Sequence, residues 1–205
     1  MKKILLICFL AISVYSAFDV LQKGNYEKAI NGNAKLADAF CSFYSVFDTG
    51  KVLLKNGNYV PVTKLMIYNF CKIGAKGGFP NSQNKFGEIL LAEKVPSLNK
   101  EAEKYFLLSA KQGNSEAKLN LAHLYTFEKG FINHAKAAKY YEEIVDLNQS
   151  VALCSFAILY IEGKGVLRDY NKAKELVKRG YDNAKYEPEK KFCSSVWKTY
   201  SLDTK

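Results

Sequence analysis

A fixed interval governs the middle of this chain. Phe86-Gly87-x-x-Leu90 can be laid over Leu121-Ala122-x-x-Tyr125 and Phe156-Ala157-x-x-Tyr160, so the small residues Gly87, Ala122 and Ala157 recur every 35 positions between apolar neighbours. A second set of anchors, Ala102, Ala137 and Ala173, each followed three residues later by Tyr105, Tyr140 or Leu176, recurs at 35 and then 36. A period of this length belongs to stacked supersecondary units, each too small to bury its own apolar face.

Each unit reads as two helices. Leu119, Leu121, Ala122, Leu124 and Tyr125 form an apolar stripe of helical spacing, Gly130 and Phe131 interrupt it, and Ala137, Ala138, Tyr140, Tyr141, Ile144 and Val145 begin another. Small anchors have a packing reason, because two antiparallel helices approach closely only where one carries little side chain. Gly163 and Gly165 fall where the chain must turn with positive φ, and Gly78, Gly113 and Asn148, again 35 apart, suit the left-handed ends of second helices.

The run Tyr160-x-x-Gly163-x-Gly165-Val166-x-x-Asp169-x-x-Lys172-Ala173 resembles the signature of the Sel-one-like repeat, a relative of the tetratricopeptide repeat with a longer inter-helix loop. The resemblance spans about Phe40 to Asn183. It implies an all-α fold, a right-handed α-solenoid of antiparallel helix pairs. The unit after Ala117 departs from the pattern, keeping one loop glycine, Gly130, and placing His134 near the usual acidic residue; the unit after Ser82 has only Pro96 in its loop, so its turn must be built differently. The expected divisions are a partial N-terminal capping repeat at 17–38, a repeat with a long loop at 39–81, repeats at 82–116, 117–151 and 152–187, and a C-terminal capping helix at 188–205. In the first of these, Gly24-Asn25-Tyr26-Glu27-Lys28-Ala29 resembles the opening of a second helix whose first helix is reduced to Asp19 to Lys23. The polar stretch from Asp48 to Pro61 reads as a loop insertion.

Residues 1–16 combine Lys2 and Lys3, an apolar run from Ile4 to Val14, and small residues at Val14 and Ser16, the pattern of a secretory signal peptide cut before Ala17. The apolar run is too short to cross a bilayer core of ~30 Å comfortably, so no stable membrane span is expected after its removal. The expected location is periplasmic or secreted. A formal charge of +10 comes almost wholly from lysines spread along helices, which reads as a solvated face, with an anionic envelope polymer as a further candidate partner. Nucleic acid is not expected, because the chain lacks an arginine cluster.

Pro188 starts a tail in which Phe192, Cys193, Val196, Trp197 and Tyr200 share one helical face, so the only tryptophan is expected in the core of the cap. Past the leader stand Cys41, Cys71, Cys154 and Cys193, an even number in a compartment where disulfides persist. In a solenoid only the local pairs Cys41 with Cys71 and Cys154 with Cys193 come near each other; local bridges and buried free thiols both suit the pattern. A more distant resemblance points to the secreted Helicobacter cysteine-rich proteins, whose helix pairs are stapled by cysteines eight positions apart. This chain carries Ala110 and Ala117, or Val145 and Ala152, at the matching positions.

That branch implies β-lactam binding or slow hydrolysis as an alternative activity. Ser82-x-x-Lys85, Ser97-x-x-Lys100 and Ser195-x-x-Lys198 match the first element of a serine-lactamase pattern, but no Ser-Asp-Asn or Lys-Thr-Gly follows. His123 and His134 are the only histidines and show no metal-ligand spacing, so neither a metal nor another cofactor is expected. The sequence therefore favours a non-catalytic scaffold binding a protein or peptide. Tetratricopeptide geometry places Asn84, Glu88, Leu91, His123, Thr126, Phe127 and Glu162 on first helices lining a concave groove, a mixed lining suited to a polypeptide segment.

Overall fold

The computed structural model describes residues 24–46, 51–53 and 57–204. The leader expected at 1–16, the cut expected before Ala17 and the short helix expected from Asp19 to Lys23 lie outside the described residues. The chain divides into two compact units, Met1–Asn114 and Ser115–Lys205.

In the first unit, helices α1 (Asn25–Ile30), α2 (Ala34–Val46), α3 (Lys64–Lys76), α4 (Pro80–Ala92) and α5 (Pro96–Lys111) pack in sequence order, α2 with α3 and α4 with α5 as pairs. The ends follow from local chemistry. Asn33 Oδ1 accepts a hydrogen bond from the Leu36 amide at 3.1 Å and Thr63 Oγ1 from the Met66 amide at 3.2 Å, while Pro80 and Pro96 open their helices where no donor is needed. The Asn33 cap starts α2 at Ala34, five residues before the repeat edge expected at 39. The edge expected at 82 likewise yields to a helix that starts at Pro80.

Gly78 and Gly113 hold φ of 90° and 88° after α3 and α5, as their spacing predicts. The loop without glycine is turned by Lys94, a non-glycine residue at φ 54° directly before Val95 and Pro96. Between α2 and α3 the expected loop contains a short antiparallel ladder, β1 (Lys51–Leu53) with β2 (Tyr59–Pro61), Val52 opposite Val60. This is a correction: residues 48–61 are not loop throughout.

Aromatic side chains fill the interior of this unit. The Phe40 and Phe70 rings lie 4.7 Å apart with Tyr26 edge-on to both, and Phe86 sits 4.9 Å from Tyr105. The small anchor works as its spacing predicts: a Cβ at Gly87 would come within 2.6 Å of the Phe106 ring, so α4 and α5 meet at a distance only glycine permits.

The second unit contains α6 (Ser115–Phe127), α7 (His134–Ile144) continuing into a 3-10 turn (Val145–Leu147), α8 (Ser150–Glu162), α9 (Tyr170–Asp182), α10 (Glu187–Thr199) and a final 3-10 turn (Leu202–Thr204). The first helices α6 and α8 begin two residues before the expected edges at 117 and 152. Asn133 and Asp169 each accept a hydrogen bond from the amide three residues on, Lys136 and Lys172, so Asn133 supplies the cap where the repeat pattern expects an acid. Asn148 closes the 3-10 turn at φ 52°. Gly163 and Gly165 turn the α8–α9 loop at φ 66° and 72°, and a Cβ at Gly165 would collide with the His134 backbone.

Ala122 and Ala157 are fully buried within the α6–α7 and α8–α9 pairs. On α10, Cys193 and Val196 take the buried face. Trp197, expected in the core of the cap, stands half-exposed one step further round, its Nε1 donating to Asp203 Oδ1 at 2.9 Å. Among the described residues no helix is long and apolar enough to cross a membrane.

Candidate functional site

The expected groove residues fall into three groups. In the first unit, Asn84, Glu88 and Leu91 line one face of α4 at helical spacing. Asn84 is buried and its Nδ2 donates to Glu88 Oε1 at 2.9 Å, while Lys85 Nζ reaches Glu88 Oε2 at 2.8 Å. Both carboxylate oxygens are thus engaged within α4, leaving Leu91 as a half-buried apolar contact.

In the second unit, α6 presents His123 and Phe127, one turn apart with ring centroids 6.0 Å apart. Phe127 is 58% exposed, large for a phenylalanine in a helix. His123 leans inward against Tyr141, 5.9 Å away, and its Nε2 is buried without a hydrogen-bond partner. Burial pulls the ring down to about 4, so it is neutral at pH 7.

Thr126 does not line this face. Its Oγ1 donates to the Ala122 carbonyl at 2.6 Å, one turn back along the helix, and the side chain is buried. Burial pushes the neighbouring Tyr141 hydroxyl up to about 12; the Thr126 and Ser155 hydroxyls beside it oppose the rise, yet none is placed to make a geometrically sound bond with it. These three hydroxyls form an interior cluster and offer nothing to a ligand.

Glu162 lies apart, at the C-terminal end of α8. Tyr200 donates to its Oε1 at 2.7 Å and Lys164 Nζ approaches Oε2 at 2.8 Å. Burial would raise this carboxyl, but the bonds from Lys164 and Tyr200, with the positive charge of Lys164, outweigh it and hold the group below its usual range. Tyr200 answers in the opposite sense, pushed up to about 12 by burial and by the carboxylate. Together with Arg168 and Tyr170 these residues wall a polar cleft of about 490 Å³. Repeat spacing could not find Tyr200 or Arg168, since one lies beyond the repeats and the other varies within a loop.

Each local cysteine pair is joined. The Cys41–Cys71 bridge ties α2 to α3 across a Cα separation of 4.8 Å, and Cys154–Cys193 ties the first helices α8 and α10 across 5.5 Å. Gly180 makes room for the second: a Cβ there would lie 2.5 Å from Cys154 Sγ. Nothing in the repeat spacing marks Gly180, which sits mid-helix, where glycine has no turn to make.

Two of the three serine motifs have structural occupations, and the third serine, Ser97, is exposed. Ser82 is fully buried, and its hydroxyl and amide donate to Asp38 Oδ1 at 2.7 and 3.2 Å, holding α4 against α2. A Cβ at Gly74 would meet the Ser82 side chain, which closes the third side. Burial raises the Asp38 carboxyl despite those two bonds. Lys85, the motif partner of Ser82, is the one paired with Glu88, and Ser195 donates to the Phe192 carbonyl at 2.7 Å. Among the described residues no group of three His, Cys, Asp or Glu side chains could hold a metal ion.

No family model and no curated protein matches the chain. Solved structures do. The c5321 protein of uropathogenic Escherichia coli, described as a protective antigen displaying an SLR fold, superposes with a TM-score of 0.63 at 20% identity over 85% of this chain. This chain spans only 39% of that protein's length. A Sel1 repeat protein from Oxalobacter formigenes superposes with a TM-score of 0.65 at 19% identity, covering 86% of this chain and 67% of that one. At such identities the likeness is one of architecture, and with the helix pairs and their small anchors it shows that this chain has the Sel1-repeat fold.

Proposed function

We propose that this chain is an exported, non-catalytic repeat scaffold, periplasmic or secreted, that holds a segment of a partner protein against the first-helix face of its repeats. The observation that carries the reading is Phe127: a 58% exposed aromatic standing over a neutral, half-buried histidine whose ring nitrogen has no partner. An exposed ring on a rigid helix loses little entropy on contact, and aromatic anchors of this kind commonly carry the larger part of a binding energy. Both bridges support export, because disulfides persist in oxidising compartments and are rare in the cytosol. The anionic groups of an envelope polymer are the competing ligand, engaged by lysines instead.

The test uses the protein from residue 17 onward as bait for envelope extracts. Phe127→Ala should weaken capture of a protein partner at least tenfold, about 2 kcal/mol for a hot-spot aromatic, while the melting temperature stays unchanged. Lys139→Ala, on the exposed side of α7, should change only the salt dependence. Silence at Phe127 with a decisive effect at Lys139 would replace this reading with a charge-driven surface for an anionic polymer.

A further inference from the structure

A cleft of about 300 Å³ runs between α9 and α10, walled by Val177 and Tyr181 on one side and Ser194 and Trp197 on the other, with Lys178 and Lys198 at its rim. It adjoins a second of about 310 Å³ that shares Tyr181, Ser194 and Lys198 with it. The repeat register shows what kind of object this cleft is shaped for. Ser194 follows Ala157 by 37 residues and Trp197 follows Tyr160 by the same interval, so they occupy on α10 the small anchor and the aromatic of a first helix. On α6 those positions are covered by the second helix of the pair: Ala122 is fully buried and Tyr125, 3% exposed, stacks on Tyr140 of α7 at 6.1 Å. On α10 the same two positions face the cleft, and no described helix covers them.

Second helices here pack first on the first helix of their own pair. Within this unit α9 packs along α8, and its Arg179 also reaches the end of the preceding second helix, donating to the Val145 carbonyl and to Asn148 Oδ1 at 3.3 and 2.8 Å. A helix placed in the cleft would have the equivalent neighbours, α10 and α9. The charge around the seat is one-sided. Lys178, Lys190, Lys191 and Lys198 surround it against the single carboxylate of Glu187. Among the described residues Lys178, Lys191 and Lys198 pair with no carboxylate, and Lys190 lies over the Tyr181 ring at 5.9 Å.

From this geometry we infer that the α9–α10 cleft seats an amphipathic helix of a partner protein, its apolar seam against Val177, Tyr181 and Trp197 and its flanks carrying aspartate or glutamate toward the lysines. Helix-in-groove recognition reads such a seam through anchors one turn apart, and the lysine rim selects the sign of the flanking charge. This surface is distinct from the Phe127 face and does not rest on it.

Trp197 is the only tryptophan and lies on the cleft wall, so its fluorescence reports occupancy directly. The probe is a synthetic helical peptide with a leucine seam flanked by glutamates, titrated into the protein from residue 17 onward. Trp197 emission should shift to shorter wavelength on binding. The exposed pair Lys178→Glu and Lys198→Glu should lower affinity for this peptide at least tenfold and transfer preference to the same peptide with lysine flanks. Ser194→Gln, which fills the cleft without changing charge, should weaken binding by a similar factor, and Phe127→Ala should leave it unchanged. The inference is overturned if the glutamate peptide leaves the emission unmoved, if the double variant binds it as well as the parent, or if Phe127→Ala abolishes binding. It is equally overturned if phosphatidylglycerol vesicles shift the emission and the peptide does not, since the cleft would then serve a lipid surface.

Discussion

His123 is a titratable ring whose charge the fold suppresses, and that suppression has a sign. Unfolded, the ring titrates near 6.5; folded, burial lowers it to about 4. Above pH 6.5 both states are neutral and the difference contributes nothing. As pH falls from about 6.5 toward 4 the unfolded chain takes up a proton that the folded chain refuses, so stability declines over that window, by at most about 3 kcal/mol, and levels off below it. Asp38 works the other way, because its raised carboxyl pKa favours the folded state as pH falls. Comparing the parent with His123→Phe separates the two. Thermal melts from pH 7 to pH 4 should show a steeper loss for the parent, and identical slopes would mean that the ring is solvated and that Phe127 stands over no buried histidine.

Pairing of helices depends on what the first helix leaves out. Ala122 is fully buried in the α6–α7 pair, and a larger side chain there must push α7 away or adopt a strained rotamer. Ala122→Leu should destabilise the protein by roughly 1 to 3 kcal/mol, read as a lowered melting temperature, and an unchanged melt would contradict the assignment of Ala122 to the contact. The same physics explains what could be read from the chain alone. Gly87, Ala122 and Ala157 betray their helix pairs because close approach restricts one position in each repeat to a small residue. Capping is subtler: Asn33 and Asn133 start their helices through a single side-chain oxygen, and neither breaks the apolar pattern that marks the helix itself.

The β1–β2 ladder carries a sequence mark of its own that the helical period around it obscures. Asn56-Gly57 between two apolar runs is a strong hairpin signal, here set inside a helical repeat. Of the groove residues, periodicity places all on first helices, yet it cannot tell that Thr126 turns back onto its own backbone or that Glu162 is claimed by Tyr200. Those outcomes depend on a rotamer and on a residue outside the repeat.

For the chain as a whole, the proposed export and the observed bridges bear on each other, because disulfides persist in the oxidising compartments to which a cleaved leader would carry the chain. Cys154–Cys193 closes a sequence separation of 39 residues, and a loop of that size restricts the unfolded chain enough to stabilise the fold by about 2 to 4 kcal/mol. The bridge also joins α10 to α8, so its loss would loosen the wall of the cleft that carries Trp197. Protein recovered from an envelope fraction should therefore begin at Ala17. Because all four remaining cysteines are buried, alkylation is tested after denaturation, where none should react until a reductant is added. The same chain without residues 1–16, produced in a reducing cytosol, should show four reactive thiols once denatured and melt at a lower temperature. Retained Lys2 and Lys3 in the envelope protein would refute cleavage. Free thiols in that protein would refute the bridges, and they would return Gly180 to the problem of why a helix interior carries a glycine where a bridge needs no room.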